Sequence, residues 1–231
     1  MKIAQRVAFL KPAILQAVTA KADQRRKQGK EVINLGIGEP DFDTPDHIKE
    51  AAVRAIWAGM TKYTAVGGIA SLKDAIVRKF NDDNQLGYEP SQIIVSCGAK
   101  HSIYNLMQAA LDPGEEVIIP APYWPSFVDM AELAGAKPVI VPCGIDVGYK
   151  LTAARLAASI TPRTRMLILN SPGNPTGAVY DESELAALGA VLLRHPDVLI
   201  LSDDIYEHIL FAGSFRNIVN VCPDLIDRTV V

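Results

Sequence analysis

The sequence has little of what marks several classes of protein. Its 231 residues include only three cysteines, Cys97, Cys143 and Cys222, which are too widely spaced for a CxxC metal motif or a disulfide framework. A reduced, cytoplasmic setting is therefore expected. No apolar run approaches the roughly 18 residues of a membrane span, and the charged start MKIAQRVAFLKPAILQ does not resemble a secretory signal. A net charge of −3 leaves no basic excess for nucleic acid.

Metal-binding patterns are also scarce. The four histidines form no HxH or HExxH motif, and only the neighbouring carboxylates Asp203 and Asp204 leave an oxygen-ligated Mg²⁺ site open. What the chain does have is 49% apolar and 21% charged residues, a balance typical of a globular protein with a buried core. These proportions favour a small-molecule enzyme.

The order of short β-branched runs and helical patterns predicts an α/β fold. Buried strands separated by helices are typical of a mainly parallel, doubly wound sheet with helices on both faces. Thr44 is predicted to cap a helix with Pro45 in its first turn, Thr152 to cap another, and Asp181 with Glu184 to form a capping box. We expect an N-terminal arm and small-domain segment over residues 1–45 and a large domain over 46–231. Strands are predicted at 92–96, 116–119, 139–141, 165–169 and 198–201, with another beginning at 229–231.

The residues after each strand are the candidates for function, because open α/β sheets bind ligands beyond the carboxyl ends of their strands. The segment 96–100, SCGAK, opens a helix and suits an anion such as phosphate, or it serves only helix packing. The loop 120–125, PAPYWP, presents Tyr123 and Trp124 for stacking on a flat ring, or Trp124 merely packs.

Two further strand ends carry polar groups. The loop 170–177, NSPGNPTG, is rigid enough to aim an asparagine amide at a ligand, unless it is a plain turn. Asp203 and Asp204 follow an apolar strand directly, and burying them is costly without a cation or hydrogen-bond donors.

Taken together, these segments resemble the class I pyridoxal-phosphate-dependent aminotransferases, the aspartate aminotransferase family of fold type I. The resemblance covers essentially the whole chain and implies the fold type I large domain plus the N-terminal arm of an incomplete small domain. It also implies transfer of an amino group from an L-amino acid of aspartate or aromatic type to a 2-oxo acid by a ping-pong Schiff-base mechanism, in a homodimer whose subunits share each site. The matching motifs are LGIGEPDFDTP (35–45), KYTAVGG (62–68), APYW (121–124), SPGNPTG (171–177) and SDDIYEH (202–208).

The resemblance assigns a role to each matched residue and places no metal in the site. Asp203 is expected to pair with the pyridine nitrogen of pyridoxal 5′-phosphate, which keeps the ring electron-poor. Asn174 and Tyr206 are expected to bind the ring 3′ oxygen and Trp124 to stack on the ring. The expected phosphate site is Gly98, Ala99 and Lys100, joined by Tyr63 reaching to the neighbouring subunit's cofactor, and the expected substrate contacts are Gly38, Lys100, Trp124 and Asn174.

One departure from the family pattern concerns the substrate. Leu15 stands where related sequences often carry a hydroxyl that helps to hold a distal carboxylate, in Pro12-Ala13-Ile14-Leu15 against Pro-Ser-x-Thr. Lys100 matches a lysine that can bind that carboxylate, so the two signals disagree on whether the amino donor is dicarboxylic or more apolar. Asp204 replaces a common glutamate and receives no catalytic role.

The Schiff-base lysine of the family is expected beyond Val231. The 231-residue chain alone is accordingly expected to be a truncated, inactive form of a longer aminotransferase. Three alternatives stay open: a C–S β-lyase or an aminocyclopropane-carboxylate synthase of the same fold, or a non-catalytic fragment or ligand-binding domain.

Overall fold

The structure is a computed structural model that describes residues 2–8, 14–36 and 38–231, with side chains in the first helix from residue 18 onward. It contains two compact units, Met1–Thr64 and Ala65–Val231. The division expected at residue 45, between an arm and a cofactor domain, stays a prediction.

The first unit contains helices α1 (Ile14–Lys27) and α2 (Asp46–Trp57). Helix α2 begins later than the sequence predicts. Pro45 has an extended ψ of 141° and is the N-cap, without a side-chain hydrogen bond, so neither Thr44 nor Pro45 takes the predicted position. The reason is that the chain turns into the helix only after the proline, which leaves Thr44 one residue too early to cap it.

The second unit is built on a parallel sheet. In the described residues it has five strands in the order β2-β1-β3-β4-β5, and every pair is parallel, which confirms the predicted sheet type. The register places Leu167 beside Ile200 and Asn170 beside Asp203. The strands are β1 (Glu116–Ala121), β2 (Lys137–Pro142), β3 (Thr164–Asn170), β4 (Leu199–Asp203) and β5 (Thr229–Val230).

Helices connect these strands and begin where the sequence marks their caps. The Thr152 hydroxyl accepts a hydrogen bond from the Arg155 N–H at 3.2 Å, and Asp181 and Glu184 form the predicted capping box. No helix in the described part of the chain is long and apolar enough to cross a membrane. The helices of this unit are α3 (Ala70–Asn84), α4 (Ala99–Ala110), α5 (Ser126–Leu133), α6 (Ala153–Ser159), α7 (Glu182–Leu192) and α8 (Ile218–Val221).

The core lies on both faces of the sheet, as a doubly wound fold requires. Successive strand residues point to opposite faces, so Ile200 belongs to the cluster that contains α6, α7 and α8, whereas Leu201 belongs to the cluster that contains α4 and α5. The first cluster includes Ile118, Leu167, Leu156, Leu188 and Val219, and the second includes Ile119, Ile168, Met107 and Phe127.

The predicted strand over 92–96 is wrong. A short 3₁₀ helix, Pro90–Gln92, is followed by extended chain outside the sheet, joined by the Val95 N–H to the Gly67 carbonyl at 3.0 Å. Ile94 is 74% exposed. A strand needs a neighbour to complete its backbone hydrogen bonds, and none of the described strands pairs with this segment.

Candidate active site

The carboxyl ends of β3 and β4 are locked together by Asn170. Its Nδ2 donates to the carbonyl oxygen of Asp203 at 2.9 Å, and its Oδ1 accepts from the Asn174 N–H at 2.8 Å. The Ser171 N–H adds a bond of 3.3 Å to the same carbonyl. Sequence reasoning did not give Asn170 a role of its own, although an asparagine that ends an apolar strand is a usable signal.

The loop after β3 brings Asn174 to Tyr206, as the predicted shared role requires. The Asn174 Nδ2 lies 3.4 Å from the Tyr206 hydroxyl oxygen. The loop is closed by the Gly173 N–H, which donates to the Ala178 carbonyl at 2.9 Å. A Cβ on Gly173 would lie 3.3 Å from the Asn170 carbonyl oxygen, so the tight packing of this loop favours glycine there.

Asp203, at the end of β4, has a carboxylate with few partners. Among the described residues its one hydrogen bond comes from the Ile205 N–H at a long 3.4 Å. Burial raises the pKa of Asp203, and this weak bond only partly opposes it. A desolvated carboxylate with so little compensation is costly, so the site suits a cationic group.

A cleft of about 270 Å³ adjoins this carboxylate and the start of α4, with Asp203, Ile205, Ala99 and Ser102 among its lining residues. Gly98 is the N-cap of α4, with φ +83°, a conformation that favours glycine. The first-turn amides of a helix have no acceptor within the helix. The cleft therefore has the first turn of α4 on one wall and a carboxylate on another, and the predicted binding of phosphate at this helix end stays a prediction.

Trp124 and Lys100 also lie together. The Lys100 Nζ is 4.9 Å from the centroid of the Trp124 ring. Trp124 packs edge-to-face on Phe127, with ring centroids 5.4 Å apart. Trp124 therefore packs on Phe127 and has the Lys100 ammonium group beside its ring. Its stacking on a ligand ring stays a prediction.

The other predicted site residues are described within the first unit. Gly38 is exposed, and a Cβ built on it meets nothing within 4 Å. The Tyr63 side chain is fully exposed. Pro12, Ala13 and the Leu15 side chain lie outside the described residues, so their predicted effect on the substrate stays a prediction.

The neighbouring carboxylates Asp203 and Asp204 have different partners. Asp204 accepts a hydrogen bond from the Ser202 hydroxyl at 2.7 Å and another from Asn217 Nδ2. No group of three or more histidine, cysteine or acidic side chains gathers as a set of metal ligands in the part of the chain that the structure describes.

The topology and the position of the polar groups define the class of protein, a parallel α/β domain with its candidate site at the carboxyl ends of the strands. A family model, Aminotransferase class I and II, matches residues 30–230, and the chain belongs to this family.

Curated relatives and solved structures agree with this family. The chain is 56% identical to an aspartate/prephenate aminotransferase of Nitrosomonas europaea and 48% identical to an aspartate aminotransferase of Geobacillus stearothermophilus, covering 100% of this chain but 58% and 59% of theirs. The aspartate aminotransferase structure from Rhizobium meliloti matches 99% of this chain and 57% of its own, at 47% identity and a TM-score of 0.95. The Thermus thermophilus aspartate aminotransferase with maleate matches 99% and 59%, at 43% identity and 0.93. The chain thus spans somewhat over half the length of the relatives it matches.

Proposed function

We propose that this chain supplies the cofactor domain of a pyridoxal-phosphate-dependent aminotransferase that moves an amino group from an L-amino acid to a 2-oxo acid. The carrying observation is the desolvated Asp203 carboxylate, whose only described hydrogen bond is long. Asn170 links the Asp203 carbonyl to the Asn174 N–H, and a cleft that Asp203 lines reaches the start of α4.

The described residues fit pyridoxal 5′-phosphate. When bound, this group supplies an electron-poor ring that withdraws charge from the substrate's α-carbon. The Asp203 carboxylate would hold a proton on the ring nitrogen, because a buried carboxylate without a counter-charge stabilises a cation strongly. Asn174 and Tyr206 would donate to the ring oxygen. The first-turn amides of α4 from Ala99 onward would receive the phosphate, because the Gly98 N–H already donates to the Ser96 carbonyl at 2.9 Å.

The amino donor is proposed to be dicarboxylic. The names of the relatives mention aspartate and prephenate, and the Thermus thermophilus structure holds maleate. All three molecules carry two carboxylates. Lys100, the cation beside Trp124, suits the distal carboxylate. Replacement of the hydroxyl by Leu15 is compatible with a bulkier donor such as an aromatic precursor.

The amine that moves the proton at the α-carbon is proposed to lie outside the described lysines. Lys79, which borders the cleft, is paired with Glu207. Lys100 lies against the Trp124 ring.

We also propose that two copies of the chain associate. Val53, Ile56 and Trp57 follow the i, i+3, i+4 spacing of one face of α2, Met60 follows just after the helix, and all four are more than half exposed. Such an exposed apolar stripe is typical of an interface. A Trp57→Glu variant should shift the molar mass measured by light scattering from dimer to monomer, and an unchanged mass would contradict the proposal.

The reaction type is tested with the product of the full reading frame. Transfer of the amino group from L-aspartate to 2-oxoglutarate is expected, with glutamate as product. Release of pyruvate and ammonia from a C–S substrate, without glutamate, would instead support the β-lyase alternative. A Lys100→Met variant should raise the KM for aspartate about tenfold, as loss of one charge-assisted hydrogen bond predicts, and leave the KM for phenylalanine unchanged. An equal rise for both donors would contradict the role of Lys100.

A further inference from the structure

The segment 203–207, which carries Asp203 and Tyr206, is held by two acidic side chains that the proposed function does not use. Asp204 accepts hydrogen bonds from Ser202 and from Asn217, the N-cap of α8. Glu207 pairs with Lys79 and accepts from Asn84, both in α3. We refer to these contacts as the clamp.

Asn217 is the centre of the clamp. It is 1% exposed, and its Nδ2 donates both to the Ser202 hydroxyl oxygen, at 3.1 Å, and to Asp204. Its Oδ1 accepts from the Val219 N–H at 2.8 Å and so caps α8. The asparagine side chain has the two N–H donors and the one oxygen acceptor that these three contacts use. Aspartate keeps the acceptor but loses the donors, and serine is too short to replace the amide.

The two sides of the clamp are joined. Asn220, in α8, donates from Nδ2 to the Asn84 carbonyl at 2.6 Å. The Asn217 N–H donates to the Asn220 Oδ1 at 3.0 Å. The helix that holds Asp204 is thereby connected to the helix that holds Glu207, so the clamp fixes both ends of the segment 203–207 to the same framework.

Strand alternation separates Asn217 from the face of the sheet to which Asp203 points. Ile200 and Leu201 belong to opposite core clusters, so Ser202 and Asp204 share the α8 face while Asp203 points to the α4 face. Asn217 therefore binds Ser202 and Asp204, the residues on either side of Asp203. It does not lie on the face of the sheet to which Asp203 points. We infer that Asn217 is a positioning residue that sets the direction of the Asp203 carboxylate through Ser202 and Asp204. This inference rests on the proposed function for the ligand that Asp203 meets.

The charges around Asp204 determine how it responds to a substitution at position 217. Asp203 and Glu207 face it from the same segment. Burial and the charge of Asp204 raise the pKa of Tyr88, which lies in the loop after α3. Lys79 is paired with Glu207. The ionised Asp204 carboxylate is thus stabilised only by uncharged hydrogen-bond donors among its described contacts. A negative charge at position 217 would repel it.

Three variants separate positioning from stability. Asn217→Ser keeps a good N-cap but loses both donors. Asn217→Asp keeps the cap and the shape, and regains a donor only when its carboxyl is protonated. Thr152→Ala removes the cap of α6, far along the chain, and is the matched control for a lost cap.

The first measurement is the Kd for pyridoxal 5′-phosphate, by equilibrium dialysis with the product of the full reading frame. At about pH 8 both Asn217 variants should bind about tenfold more weakly or worse, the range seen when a residue that orients a ligating group is removed. Thr152→Ala should stay within about twofold. At about pH 5.5 the Asn217→Asp affinity should return towards the unsubstituted value measured at the same pH, because a protonated carboxyl can donate to Asp204, whereas Asn217→Ser should not recover. An Asn217→Asp affinity equal to the unsubstituted one at pH 8 would overturn the inference.

The second measurement needs no cofactor. The Glu207 N–H donates to the Asp204 carbonyl at 2.9 Å, and the Ile209 N–H to the Tyr206 carbonyl at 2.8 Å. Hydrogen exchange at these two amides should be faster in Asn217→Ser than in Thr152→Ala, and equal exchange would overturn the inference. If the unsubstituted protein does not bind pyridoxal 5′-phosphate, the proposed function fails by itself, and the exchange rates still decide whether Asn217 positions this segment.

Discussion

Asp204 is a buried carboxyl whose ionisation destabilises the folded chain. Burial raises its pKa from the ordinary 3.8 to about 6, while the hydrogen bonds from Ser202 and Asn217 act in the opposite direction. Each pKa unit corresponds to about 1.4 kcal/mol, so the full cost of ionising Asp204 in the folded chain is about 3 kcal/mol.

The sign follows from comparing the folded and unfolded chains. Below about pH 4 the carboxyl is neutral in both, and its contribution to stability is fully present. As the pH rises, the unfolded chain ionises first, near 3.8, and the folded chain only near 6. Asp204 therefore lowers the free energy of unfolding progressively between about pH 4 and pH 7.

An Asp204→Asn variant removes this titration and keeps the contacts. Its amide oxygen can accept from Asn217, and its NH₂ can donate to the Ser202 hydroxyl oxygen. Urea unfolding followed by circular dichroism should give equal stabilities near pH 3 and an advantage of about 3 kcal/mol for the variant near pH 7.5. Asp129→Asn, at an exposed position on α5, is the control and should show no such pH-dependent gain. A variant advantage that is independent of pH, or that grows towards acid, would refute this reasoning.

Two further predictions concern packing and charge in the second unit. Glu116 is 2% exposed, and hydrogen bonds from Thr161 and Arg163 lower its pKa below the ordinary 4.5. Its contribution is therefore present above that value and lost as the pH falls through the lower pKa of the folded state, so Glu116→Gln should cost about 1–2 kcal/mol at neutral pH and nothing in strong acid. A cost in urea unfolding that persists in acid would contradict this. A Cβ on Gly189 in α7 would overlap the Cys222 sulfur and lie 3.1 Å from its Cβ. Gly189→Ala should thus cost about 1–3 kcal/mol and be largely tolerated in a Cys222→Ala background, whereas an equal cost in both backgrounds would show that the sulfur is not the obstacle.

Local signals in the sequence predicted most of the fold. The runs that became β1 to β4 are apolar on both faces, which only a covered parallel sheet requires. The Thr152 cap and the Asp181–Glu184 capping box are bonds between residues three apart, so their spacing alone reveals them. The run at 92–96 has the same composition as the true strands. Pairing depends on a partner elsewhere in the chain, which composition does not report.

The sequence predicted site residues that belong to short contiguous motifs. It did not predict residues whose contacts are far away in the chain. The sequence placed Asp203, Asn174 and Tyr206 at strand ends, and the structure brings the last two within 3.4 Å. Asn217 was missed because its partners lie 13 and 15 residues away in the chain. Its capping-box spacing with Asn220 was a visible signal for α8, but not for its bond to Asp204.

The most direct test of the account is the protonation state of the cofactor ring nitrogen beside Asp203. The product of the full reading frame would be loaded with pyridoxal 5′-phosphate labelled with ¹⁵N in the ring and examined by NMR. A protonated nitrogen is predicted in the unsubstituted protein, and an unprotonated one in Asp203→Asn, because the amide offers no negative charge to hold the proton. An unprotonated nitrogen in the unsubstituted protein, or the same shift in both, would contradict the central claim that Asp203 forms the cofactor site.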